Sequence, residues 1–100
     1  MKTDNKYILK GKRVVKETDL LKWAGWFETA KRHVANDSIE KIRVSTVFLG
    51  MDHNWGEGKP LLFETMIFEG KHDGYQERYS TWEEAEVGHK KAVSLVKETK

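Results

Sequence analysis

A chain of 100 residues, 38% hydrophobic and 34% charged with a single proline, has the size of one domain and the make-up of a folded chain. With no cysteine it has no disulfide, thiolate metal site or thiol nucleophile, so stability must come from packing. The formal net charge of +2 hides an asymmetry: residues 1–16 carry six bases (Lys2, Lys6, Lys10, Lys12, Arg13, Lys16) against Asp4, whereas residues 52–86 carry nine acids against Lys59, Lys71 and Arg78. No apolar run approaches the roughly 18 residues that span a bilayer, and Met1-Lys2-Thr3-Asp4-Asn5-Lys6 lacks the apolar stretch of a secretory signal. A cytoplasmic protein with no membrane partner is the expectation.

In chain order, Tyr7-Ile8-Leu9 and Val14-Val15 flank a turn at Gly11, which predicts a short hairpin. Its lysines suit either a solvated edge strand protected from pairing or an arm that tracks phosphates. Thr18 or Asp19 can cap a following helix, because a short side-chain oxygen accepts from the free amides of the first turn. Trp23, Ala24, Phe27, Ala30 and Val34 then recur at helical spacing, so the helix is expected to run to about Asn36. Ile42 to Leu49 and Leu61 to Phe68 are rich in β-branched and aromatic residues, each ends at a glycine, and each has apolar groups on both faces, as central strands do. A third strand, Tyr75 to Tyr79, follows the turn His72-Asp73-Gly74.

Thr81 and Glu84 have the spacing of a capping box, the sharpest local signal in the chain. It starts a helix whose inward face is Trp82, Ala85, His89, Ala92, Val93 and Val96, with Lys97 and Lys100 suited to the C-terminal dipole. The domain map is a single domain over 1–100, with a basic hairpin arm at 1–17, a helix at 18–36, antiparallel strands at 41–80 and a helix at 81–98. The fold class is α+β: an antiparallel three-strand meander with an N-terminal hairpin and two helices packed on one face, an inexpensive way to bury both helical stripes.

The connection from Met51 to Pro60 is ten residues where hairpin loops have about 2–5. It holds Asp52, His53, Asn54 and Trp55, the ingredients for hydrogen bonding and stacking, and is the first choice for a contact surface. The same residues suit a structural loop in which Asp52 or Asn54 makes a side-chain turn and Trp55 covers the core edge. No second histidine stands at a metal-ligand spacing, so no metal or cofactor is expected. Trp26 lies off the centre of the first helical stripe, as a core-closing ring or an exposed anchor; with Trp55 and Tyr75 it makes a possible aromatic binding face. His89 is expected to be partly buried, with Glu64, Asp52 and His53 as candidates for its neighbourhood. No nucleophile motif, phosphate loop or paired-carboxylate signature accompanies them, so an enzyme is not the leading reading.

The segments Tyr7-Ile8-Leu9, Asp19 to Glu28 (DLLKWAGWFE), Val44 to Trp55 (VSTVFLGMDHNW), Pro60 to Met66 (PLLFETM) and Arg78 to Glu86 (RYSTWEEAE) together resemble a family of small uncharacterised proteins encoded by tailed bacteriophages and prophages. The resemblance implies an accessory product acting by binding, in the cytoplasm of the infected bacterium. It would be a host-takeover or anti-defence factor that occupies a host protein such as a CRISPR effector, or that sequesters a small signalling nucleotide. Two other readings stand beside it. The order helix, three strands, helix is that of double-stranded RNA-binding domains, although Trp82-Glu83-Glu84-Ala85-Glu86 has the wrong sign for phosphates. A small hydrolase would use Asp52, His53 and His89.

Overall fold

The β-branched and aromatic runs pair as strands, and a stretch that reads as helix in the sequence joins them. In the computed structural model, which describes residues 2–99, β1 (Tyr7–Lys10) and β2 (Arg13–Lys16) form the N-terminal hairpin, with Gly11 at φ 64° in its turn. Helix α1 (Leu20–Thr29) follows, then β3 (His33–Ile39), β4 (Ile42–Phe48), β5 (Phe63–Phe68), β6 (Gln76–Tyr79) and α2 (Trp82–Thr99). The last four strands make one antiparallel sheet in the order β3-β4-β5-β6, so β4 and β5 are central, as their two-sided apolar pattern implies. The fold is therefore α+β with a hairpin, a four-strand antiparallel sheet and two helices.

Two expectations need correction. The first helix ends at Thr29 rather than near Asn36, with Ala30 already extended at φ −72°, ψ 144°. Residues 33–39 are a strand, so the meander has four strands and begins before residue 41. Val34 sits four residues after Ala30 and so mimics a continuing helical stripe, but long-range pairing with β4, from His33↔Val47 to Ile39↔Ile42, overrides that local periodicity. The turn between β3 and β4 is Glu40-Lys41, with Glu40 at φ 59°. Glycine, asparagine or aspartate usually supplies that conformation, so the hairpin carries no sequence signal.

α2 lies across all four strands and buries Ala85, Gly88, His89, Ala92 and Val96. Facing it are Val44, Thr46 and Phe48 of β4 and Phe63, Thr65 and Ile67 of β5, all fully buried. Each large apolar side chain in this set contributes about 1.5–3 kcal/mol of transfer free energy. The core has two clusters, one around Phe48, Leu62, Phe63, Tyr79 and Ala85, the other around Val44, Ile67, Ala92 and Val96. Thr46, Thr65 and His89 fall between the two in each element's sequence and form a polar layer. The hairpin is not a free arm: Tyr7, Leu9 and Val14 pack on the first cluster. Trp23 ties it down, since its Nε1–H donates to the carbonyls of Tyr7 (3.0 Å) and Gly50 (2.9 Å). α1 packs against β1 and reaches the sheet through Trp26, whose ring meets Phe48 edge-on at 5.8 Å. Lys97 stands in the last turn of α2; Lys100 lies outside the described residues.

Candidate functional site

The connection from β4 to β5 is built by two short polar side chains. Asp52 Oδ1 accepts from the amides of Asn54 (2.7 Å) and Leu61 (2.9 Å), clamping the two legs of the loop together. Inside that clamp Asn54 Oδ1 accepts from the Gly56 amide (3.0 Å), while Asn54 Nδ2 donates to the carbonyls of Glu57 (3.2 Å) and Lys59 (2.9 Å). The base is moored to the N-terminal segment, where the Asp52 amide donates to Asn5 O and the Tyr7 amide to Gly50 O, both at 2.9 Å. Asp52 Oδ1 and the Asn54 side-chain amide thus bond within the loop itself, as the structural reading of the sequence allows.

The other two residues behave differently. The His53 amide donates to Leu61 O (3.0 Å), and its ring Nδ1 lies 2.8 Å from Met51 O. A carbonyl only accepts, so Nδ1 carries the proton and Nε2 is left as an acceptor in the neutral ring. Trp55 does not cover the core: it is 85% exposed at the tip. Trp26, by contrast, is half-buried against Phe48 and belongs to the core packing. Tyr75 packs on the second core cluster and donates its hydroxyl to Glu77 Oε2 (2.6 Å). Burial pushes that phenol far above its ordinary pKa, and the bond to Glu77 adds to the shift.

His89 is 4% exposed and lies among partners other than those nominated from the sequence. Its Nε2 is 2.7 Å from Asp37 Oδ2 and its Nδ1 is 2.7 Å from Thr46 Oγ1. In the neutral ring Nε2 donates to the carboxylate, Nδ1 accepts from the Thr46 hydroxyl, and Thr65 donates to Thr46 across 2.5 Å. Asp37–His89–Thr46 has the connectivity of an acid, a base and a hydroxyl. Thr46 is nevertheless fully buried, so a substrate has no approach to its oxygen in this conformation. Glu64 points to the opposite face of the sheet, where Arg78 Nε donates to it at 2.9 Å and Gln76 Nε2 at 2.7 Å. Asp52 and His53 are engaged within their own loop. The set Asp52, His53 and His89 is therefore not assembled by hydrogen bonds. Asp37 was missed because it lay just past the expected helix end at Asn36, in a stretch given no strand; Thr46 and Thr65 were legible as polar residues at inward positions of two otherwise apolar strands.

Among the described residues there is no group of three or more His, Asp or Glu side chains placed to hold a metal ion, and no helix is long and apolar enough to cross a membrane. The sheet has one strand more than the helix–three-strand–helix order on which the RNA-binding analogy rested. Comparisons with protein-family models, with curated proteins and with solved structures returned no match.

Proposed function

We propose that this protein is a phage accessory factor that acts by binding a host bacterial protein, in the manner of a host-takeover or anti-defence factor, through the loop that carries Trp55. The observation that carries the reading is Trp55, 85% exposed at the tip of a loop whose legs are clamped by Asp52 and whose tip is cross-braced by Asn54. An exposed indole on an ordered loop supplies a large amphipathic contact at a small entropic cost, which is the character of an interface hot spot. His53, held in one tautomer beside it, adds a directional acceptor. The phage-like motif blocks supply the biological context, and VSTVFLGMDHNW runs directly into the loop.

The test compares the wild-type chain with His53→Ala/Trp55→Ala. Expressed in bacteria whose CRISPR effector restricts a phage, the wild type should restore plaque formation and co-purify with the effector, and the variant should do neither. Its melting temperature should move little: exposed Trp55 is a position where substitution changes stability by no more than about 0.5 kcal/mol, and half-buried His53 gives up one hydrogen bond worth about 0.5–1.5 kcal/mol. A stable variant that still protects the phage would remove the loop from the site. A loss of about 3–5 kcal/mol on truncating Trp55 would instead make it a core residue.

A further inference from the structure

A second surface lies along the cleft between β6 and α2, and no residue of the Trp55 loop belongs to it. β6 is an edge strand, paired on one side to β5 in four regular register pairs, with no strand beyond it among the described residues. The other edge, β3, is interrupted by a bulge between His33 and Ala35, a feature that disfavours further pairing. Beside β6 an open, shallow depression of about 400 Å³ is lined by Glu77 and Tyr79 of the strand and by Glu83, Glu84, Val87, Gly88 and Lys91 of the helix. A second, of about 330 Å³, continues from Lys91 past Tyr75, Ser94, Leu95 and Glu98. Lys91 lines both, so the two lie in series along the cleft, bounded by Tyr75, Glu77 and Tyr79 on one strand face and by a helix stripe.

The floor is apolar and closely fitted. Gly88 stands in mid-helix, where glycine costs up to about 1 kcal/mol relative to alanine. A Cβ there would collide with the Tyr79 ring, so the glycine is what lets strand and helix close at this point. The Tyr79 hydroxyl is buried at this floor, beside the Thr65 side chain. Val87, beside Gly88, is 69% exposed on the groove wall. The rim is acidic: Glu77, Glu83, Glu84 and Glu98 against the single cation Lys91, on a chain whose formal net charge is +2.

We propose that this groove receives an extended segment of a partner protein with basic residues at alternate positions, added antiparallel or parallel to β6 as a fifth strand. The unpaired backbone edge supplies sequence-independent hydrogen bonds, and the groove reads every second side chain, which is how strand addition divides affinity from specificity. From Tyr75 to Tyr79 the edge runs about 13 Å, enough for some five residues of extended peptide. The acidic rim selects the charge. A second copy of this chain fits poorly: β6 against β6 brings acidic rims together, and the basic hairpin is already paired and packed on its own core.

A displayed library of random dodecapeptides, selected in parallel on the full chain and on Glu83→Lys/Val87→Lys, tests the proposal. Both substituted residues are exposed, and an unchanged circular dichroism spectrum and melt establish that the variant is folded. The wild type should enrich peptides with Lys or Arg at alternate positions. Synthetic copies should shift the backbone amides of residues 75–79 and 83–98, and should lose at least tenfold in affinity on the variant and on N-methylation of one alternate set of peptide nitrogens. Trp55→Ala should bind them as the wild type does, so failure here is distinct from failure of the Trp55 loop. The proposal is overturned by no enrichment, by acidic peptides, by equal binding to the variant, by indifference to N-methylation of either set, or by β6 amides that shift with protein concentration alone.

Discussion

His89 is held by an exposed carboxylate on one side and a buried hydroxyl on the other, and the direction of the proton chain sets what each member is worth. With a neutral ring Thr46 donates to His89 and Thr65 to Thr46, so replacing Thr46 by valine strands both the imidazole Nδ1 and the Thr65 hydroxyl, whereas Thr65→Val leaves the Thr46–His89 bond in place. Thr46→Val should therefore cost about 1–3 kcal/mol and Thr65→Val no more than about 1 kcal/mol in urea denaturation. Equal costs would mean that the chain runs the other way. At the start of α1, Asp19 is held below its ordinary pKa chiefly by the Lys22 amide; partial burial opposes the shift, and the Leu21 amide adds to it. A depressed folded pKa contributes stability above the unfolded value of 3.8 and loses it as pH falls through the folded value. The stability gap between the wild type and Asp19→Asn should thus be widest near neutral pH and close below 3.8 in acid melts. A gap independent of pH would assign the effect to geometry, not charge.

At the scale of the element, α2 begins where its capping box places it. The Glu84 amide donates to Thr81 Oγ1, and Glu84 Oε1 accepts from the Thr81 amide, both at 3.1 Å, with the Ser80 amide adding a third contact to the carboxylate at 3.2 Å. Thr81→Ala removes the acceptor for Glu84 N and should lower stability by about 1 kcal/mol, read as a drop in the denaturation midpoint with the slope unchanged. An unmoved midpoint would show that the carboxylate alone holds the first turn. α1 offers a contrast. Its Asp19 cap was one of two legible candidates, yet its end was not legible, because no glycine or proline follows Thr29 and the apolar spacing runs on through Ala30 to Val34.

For the whole molecule, the hairpin decides whether the chain behaves as one cooperative unit. Its basic residues suggest a solvated arm, but Tyr7, Leu9 and Val14 close the first core cluster, and Trp23 bridges hairpin and sheet through two carbonyls. A chain lacking residues 2–17 should expose that cluster and lose the single sharp thermal transition. A truncated chain that melts as the full one does would make the hairpin an appendage. The same arrangement moors the Trp55 loop, since Asn5 and Tyr7 hold its base, so hairpin and loop should lose amide-exchange protection together.

The sequence by itself determined the features that rest on short-range chemistry: the hairpin turn at Gly11, the Thr81/Glu84 box, the inward face of α2 from Ala85 to Val96, and the two central strands with apolar groups on both faces. It also marked the β4–β5 connection as unusual, through its length and its Asx residues. Tertiary structure alone decided the fate of residues 30–39, because a periodicity compatible with helix loses to a ladder formed with a strand that lies beyond a turn without turn residues. It also decided the partners of His89, since Asp37, Thr46 and Thr65 come from three strands and meet only when α2 closes over them. The roles within the loop followed the same rule. Asp52 and Asn54 bond to backbone groups of their own loop, whereas Trp55 stands in solvent at its tip.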